Sequence, residues 1–200
     1  GEIADKLQVQ VPESLLVEKG WGGQLIEAYL GATAGNLPEP DFQHLGVELK
    51  TIPITMEGKP LETTFVCVAP LTQALGETWR TSNLYKKLRH VCWVPIISDK
   101  SIPIPLRRIA TPFLWQMTDE VEARFEADWQ ELTDMIVLGQ VEQISGKHGE
   151  ALQLRPKAAN SSIKTQAFNH QGKPFMTLPR GFYLRTQFTE AILKRHLIVN

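Results

Sequence analysis

The sequence predicts a mixed α/β fold, and three observations carry that expectation. Short stretches alternate apolar and polar side chains with a period of two, at residues 45–50, 62–69 and 91–97. Val121, Phe125, Trp129, Leu132 and Ile136 instead recur at helical spacing. The two patterns interleave along 200 residues that are 42% hydrophobic and 22% charged, ordinary values for a globular protein. Such a length suits one domain or two closely packed lobes, and is enough to bury a real core.

Taken in order, Gly1 to Glu18 holds a short amphipathic stretch and then Pro12, which reads as a helix start. Lys19-Gly20-Trp21-Gly22-Gly23 reads as a turn. A helix follows over about Gln24 to Leu30, closed by Gly31, with Leu25, Tyr29 and Ile26 inward and Glu27 off that stripe. DFQHLGVELK, from Asp41 to Lys50, reads as a turn running into a strand. Leu45, Val47 and Leu49 would share one face, with Glu48 and Lys50 together on the other. A turn around Gly58 leads into a strand from Glu62 to Ala69, with Thr64, Val66 and Val68 alternating. Thr81 to His90 reads as a helix whose Lys86, Lys87 and Arg89 form a basic face. In the strand from Val91 to Ile97, Pro95 marks an edge or an end.

The stretch from Ile102 to Phe113 holds three prolines and Arg107-Arg108, and reads as the passage between lobes 1–112 and 113–200. Thr118 caps the next helix, with Asp119 and Glu120 in its first turn and Gly139 at its end. The last third alternates strand and turn, Gly149 to Arg155 and then Phe175 to Arg185 after a loop. It closes on a helix from Thr189 to Leu197 with Ile192, Leu193 and Leu197 inward. No internal repeat or low-complexity segment is present.

Composition removes several classes of function. No apolar run reaches the ~18 residues needed to cross a bilayer, and no signal peptide is visible. The first residue is Gly1 rather than Met, which reads as a trimmed or processed chain. Cys67 and Cys92 sit in apolar runs and read as buried free thiols of a reducing compartment. No Cys/His spacing suggests zinc. The net charge of −1 argues mildly against a nucleic-acid binder, but its distribution reverses that. Lys147 to Asn200 carries nine Lys and Arg against Glu150 and Glu190, so +7. Asp119 to Glu142 carries eight acids against Arg124, so −7. A basic C-terminal third can contact phosphates whatever the whole-molecule sum. The acidic helix face reads as solvated, as a back that repels DNA, or as a partner surface.

Asp41, Glu48 and Lys50 form an Asp-x6-Glu-x-Lys pattern. Two carboxylates can hold a hard cation such as Mg2+, with waters and phosphate oxygens as further ligands. An ammonium beside them can orient metal-bound water and stabilise charge on a phosphoryl group. The plain alternative is a solvated Glu–Lys pair on an exposed strand face. Further along, Arg155-Pro156-Lys157 ends an apolar strand. Proline cannot continue a central ladder, so both cations stand on a rigid turn able to enter a major groove and read guanine O6 and N7. In LPRGFYL, Gly181 permits an unusual backbone angle, and Phe182 and Tyr183 point to opposite faces.

Longer strings decide between these readings: KGWGGQLIEAYLGATAG, KTIPITMEGKPLETTFVCVAPL, DMIVLGQVE, LRPKAAN and LPRGFYL, in that order from Lys19 onward. Together they resemble the MutH family, strand-nicking endonucleases of methyl-directed mismatch repair. The resemblance implies a restriction-endonuclease-like core, a central mixed sheet with flanking helices, and two arms that form a DNA cleft. It implies Asp41 and Glu48 as Mg2+ ligands, Glu27 beside them, and Lys50 at the attacking water or scissile phosphate. Ca2+ would support binding without cleavage. A lysine acting as base must first shed its proton, which neighbouring carboxylates oppose, so the stabiliser role is preferred for Lys50.

The same resemblance places Lys19 near the DNA backbone, Phe65 close to the DNA and Lys87 near the active site. By base rate Phe65 reads as core, and Lys87 reads equally as part of a solvated face. It sets the Arg155-Pro156-Lys157 loop against the bases of GATC, and Tyr183 near the adenine amino group, where N6-methylation is sensed. The implied reaction nicks the unmethylated strand 5′ to the G of half-methylated GATC, leaving 3′-hydroxyl and 5′-phosphate ends. The family acts as a monomer in the bacterial cytoplasm, activated by MutL in response to mismatch-bound MutS. Two rivals are a restriction endonuclease cutting both strands and a non-catalytic sensor of adenine methylation. The metal carboxylates disfavour the sensor.

Overall fold

The protein is described by a computed structural model, covering residues 1–14, 20–35, 37–72 and 76–197. The chain forms two compact units, each assembled from segments distant in sequence. The first comprises Gly1–Glu62, His90–Gln116 and Thr189–Asn200, and the second Thr63–Arg89 and Met117–Phe188. Residues 63–89 therefore go with the second unit. The proline-rich connector from Ile102 to Phe113 runs wholly inside the first.

The first unit is built on a four-stranded mixed sheet. Strand β1 (Glu48–Ile54) pairs parallel with β3 (His90–Ile97), in register from Glu48 opposite Val91 to Ile54 opposite Ile97. On its other side β3 meets β4 (Arg108–Ile109) and β5 (Phe113–Gln116), both antiparallel. Pro95 thus lies inside a strand paired on both sides, not at an edge. Its carbonyl accepts from Ala110 at 2.9 Å. A strand residue turns its N and its carbonyl to the same side. The missing N–H of Pro95 therefore faces the break between the end of β5 pairing at Trp93 and the start of β4 pairing at Ile96.

Helix α1 (Glu2–Leu7) precedes α2 (Trp21–Leu30), which buries Ile26 against Leu49 and Val94. Tyr29, expected inward, is 43% exposed, so the buried stripe of α2 runs through Ile26. Of the helix expected from Pro12, residues 12–14 are not helical and the remainder lies outside the described residues. Leu45 is likewise exposed, because β1 begins only at Glu48 and Leu45 belongs to the preceding turn. Gly46, at φ 63°, closes that turn so that Phe42 can bridge to Val47.

The second unit pairs β2 (Thr64–Val68), β9 (Arg180–Leu184) and β6 (Leu152–Pro156) as an antiparallel sheet in the order β2-β9-β6. A bulge between Phe65 and Cys67 breaks the expected alternation, so Cys67 is buried and Val68 exposed. Strands β7 (Thr165–Phe168) and β8 (Pro174–Thr177) form a separate hairpin, although the sequence reads the β7 segment as loop. The same unit holds α3 (Asn83–Leu88), shorter than the helix expected, and α4 (Asp119–Val137).

Thr118 caps α4 as expected, accepting from the Val121 amide. Phe125, Trp129, Leu132 and Ile136 are buried along it, each such side chain contributing ~1.5–3 kcal/mol. The acids of α4 are not all solvated. Asp128 is 7% exposed, and its carboxylate accepts from the backbone amides of Glu150, Ala151 and Leu152 at 2.7, 2.7 and 2.8 Å. One α4 carboxylate thereby pins the start of β6. The last element is α5 (Thr186–His196), with Ile192 and Leu193 buried. No described helix is long and apolar enough to cross a membrane.

Candidate active site and base-reading face

β1 is the edge strand of its sheet, and an edge leaves alternate backbone amides without a strand partner. The Leu49 amide is one of these, and Asp41 satisfies it: Oδ2 accepts from Leu49 N at 2.9 Å. Asp41 is held in turn through its own carbonyl, which accepts from Thr33 and Ala34 at 3.0 and 3.4 Å. Pro40 and Asp41 are both buried. A local rule, cover the open edge, thus delivers a carboxylate to the first turn of β1.

Glu48 and Lys50 point to the face of β1 opposite Leu49, as expected from strand parity. That face is not a solvated one. It continues into Ile52 and Ile54, both buried, and Glu48 is only 1% exposed. Lys50 donates to Glu48 Oε1 in a tight ion pair, with the lysine side chain 13% exposed. Taking a carboxylate out of water costs several kcal/mol unless a cation and hydrogen bonds compensate it, and Lys50 supplies both. A pair buried to this degree rules out the plain reading of a Glu–Lys couple on an open strand face.

Glu27 rides on α2, half-buried, next to Ile26, which packs against Leu49. A Cβ placed on Gly23 would stand 3.5 Å from the Thr51 hydroxyl and 3.9 Å from Glu27 Oε1. The helix therefore approaches β1 at Gly23, with the Glu27 carboxylate at that approach. Among the described residues no three His, Cys, Asp or Glu side chains gather as a metal cage. Asp41 and Glu48 remain two hard oxygen donors at one end of one strand. That donor set fits Mg2+, which keeps waters and takes substrate oxygens instead of filling a protein cage.

The second unit gathers the residues expected to read bases. Phe65, Tyr183 and Gln153 form one row across β2-β9-β6, with Gly181 and Arg155 in the next. The opposite face, with Val66, Phe182, Leu152 and Leu154, is buried. Phe65 and Tyr183 meet edge to face, centroids 5.3 Å apart. The Arg155 guanidinium lies 5.6 Å from the Tyr183 ring centre, and Lys157 Nζ 4.5 Å from that of Phe65. Pro156 ends the pairing of β6 opposite Arg180, and the Lys157 amide donates to Pro179 at 2.7 Å.

Gly181 serves here for a different reason from the one its sequence suggests. Its φ is not positive, but a Cβ would come within 2.8 Å of the Phe65 ring. Phe65 needs that space to lie across β9. Phe182 is buried and Tyr183 is not, as the alternation required. Lys87 is half-buried on the last turn of α3 in this same unit. Lys19 lies outside the described residues.

Two groups escaped the sequence reading. Thr63 accepts a hydrogen bond from Arg155 Nη1 at 2.8 Å, and Asp128 anchors the strand that carries Arg155. A sequence separation of 92 hides the Thr63 contact. Asp128 is hidden by its company, since it is one acid among eight between Asp119 and Glu142.

The family profile described as DNA mismatch repair enzyme MutH matches residues 30–128. A DNA mismatch repair protein MutH from Salmonella paratyphi C (strain RKS4594) is 55% identical over 199 residues, covering 100% of this chain and 86% of the relative. The protein of that name from Vibrio cholerae serotype O1 is 56% identical over 195 residues, 98% of this chain and 88% of the relative. That from Vibrio parahaemolyticus serotype O3:K6 is 56% identical over 197 residues, 98% of this chain and 87% of the relative. Identity at this level over nearly the whole chain places the protein in the MutH family of DNA mismatch repair enzymes.

Proposed function

We propose that the protein is a Mg2+-dependent endonuclease that nicks the unmethylated strand 5′ to the G of half-methylated GATC during mismatch repair. The mixed sheet with flanking helices is the restriction-endonuclease-like architecture of its family. The reading is supported by two buried carboxylates near the start of β1, Asp41 on the Leu49 amide and Glu48 paired with the Lys50 ammonium.

Asp41 and Glu48 would hold Mg2+, and the bound ion would supply positive charge for activating water and for stabilising the phosphate. Lys50, fixed by Glu48, donates hydrogen bonds to the scissile phosphate or the attacking water, as an electrostatic stabiliser. Glu27 orients a water at the approach of α2 to β1. In-line attack leaves a 3′-hydroxyl and a 5′-phosphate. On the second unit Arg155 and Lys157 read the bases, Pro156 stiffens their turn, and Phe65 contacts the DNA. Tyr183 senses N6-methylation of adenine. Lys19 adds a backbone contact, and Lys87 contacts the DNA near the active site. The protein works as a monomer, with MutL as activator and MutS acting through it.

The experiment is nicking of half-methylated GATC duplexes with and without Mg2+. The expected result is a single cut in the unmethylated strand, strictly dependent on the ion, with Ca2+ supporting binding alone. Double-strand cleavage would favour a restriction enzyme, and binding without any cleavage in Mg2+ a methylation sensor.

A further inference from the structure

Arg155 on β6 is held by a ring on β9 and by the residue that leads into β2. β6 and β2 are not neighbours, since β9 runs between them. Yet Arg155 reaches across β9, lays its guanidinium over the Tyr183 ring, and donates from Nη1 to Thr63 Oγ1 on the residue before β2. The aromatic ring fixes the height of the guanidinium above the sheet. The hydroxyl fixes its rotation within that layer.

That second restraint matters for recognition. Reading guanine O6 and N7 together requires two parallel N–H bonds from one planar fork, so the plane must be set before the base arrives. A long side chain ordered only on binding loses rotamer freedom at that moment, which weakens and blurs the contact. Arginine has five N–H donors; one spent on a hydroxyl leaves a fork for the base.

We infer that Thr63 is a positioning residue for base recognition, its hydroxyl setting the plane of the Arg155 guanidinium without touching DNA. The inference rests on the reading of Arg155 as a guanine reader. It predicts that Thr63 variants change how well guanine is distinguished more than how well DNA is held.

The test measures binding in Ca2+ of two duplexes, one with GATC and one with 7-deazaguanine, which lacks the N7 acceptor, at the G. The wild-type chain should prefer the natural duplex by about tenfold. Thr63→Val keeps the shape and removes the acceptor, and should lower that preference to roughly two- to threefold. Thr63→Ala removes the hydroxyl by another route and should agree with it. Thr63→Ser should restore the wild-type ratio, which a purely structural role would not require. A wild-type ratio in Thr63→Val and Thr63→Ala, with Arg155→Ala collapsing it, overturns the role of Thr63 alone. A wild-type ratio in Arg155→Ala overturns the reading of Arg155, and the inference with it.

Discussion

The Asp41 carboxylate accepts the Leu49 amide at 2.9 Å, so the residue proposed as a metal ligand also closes the open edge of β1. Two substitutions separate those tasks. Asp41→Asn keeps an acceptor for the amide, whereas Asp41→Ala leaves a buried donor unpaired at a cost of about 1–3 kcal/mol. Both should lower single-turnover nicking by roughly a hundredfold or more. Thermal melting should place Asn near the wild type and Ala well below it. Equal melting of the two would show that the edge contact contributes nothing.

Lys50→Ala should abolish nicking while DNA binding in Ca2+ persists. It should also destabilise the fold, since Glu48 is left as a buried charge without its cation, a change of about 3–5 kcal/mol. Adding Glu48→Gln should recover most of that loss and none of the activity, a non-additive pair in a double-mutant cycle. Retained turnover by Lys50→Ala in Mg2+ would remove Lys50 from the mechanism.

Tyr183→Phe removes one hydroxyl and keeps the ring that packs on Phe65 at 5.3 Å. Stability should change by less than about 1 kcal/mol. The ratio of nicking on unmethylated, half-methylated and fully methylated GATC should shift toward indifference. Unchanged ratios would exclude Tyr183 as the methyl sensor.

Asp128→Ala removes the acceptor of three backbone amides at the start of β6. Its expected cost is about 3 kcal/mol or more, read by urea denaturation. Glu126→Gln, on an exposed position of the same helix, should stay within roughly 0.5 kcal/mol. Similar effects from the two would return the helix to a uniformly solvated acidic face.

Burial pushes the Glu77 carboxyl above the usual carboxylate range, with Lys86 pulling partly against it. A raised folded-state value means full stability below the unfolded value, lost as pH rises through the folded one. Glu77→Gln cannot ionise, so it should melt above the wild type near neutral pH. That advantage should vanish as pH falls below the ordinary carboxylate range. Melting curves of both proteins across that window give the sign directly.

How much of this is legible in sequence differs by residue. Strand alternation locates β1 and puts Glu48 and Lys50 on one face, because the period of two is a local property. It gives the wrong degree of burial, because the covering of that face comes from elsewhere in the chain. The Phe65–Cys67 bulge, the placement of Pro95 and the exposure of Tyr29 are illegible for the same reason: each is fixed by a partner strand or helix. Gly181 stands out in the sequence, but its cause is a ring at position 65, not a backbone angle. The grouping of Arg155, Lys157, Phe65 and Tyr183 can be anticipated only from resemblance, since no local pattern links residues 65 and 183.

The chain passes from one unit to the other at 62–63, 89–90, 116–117 and 188–189. The unit that carries the proposed catalytic groups is therefore complete only once the segment beginning at Thr189 has been made, long after Asp41, Glu48 and Lys50. A nascent chain stalled before position 189 would carry every proposed catalytic group in an unfinished scaffold.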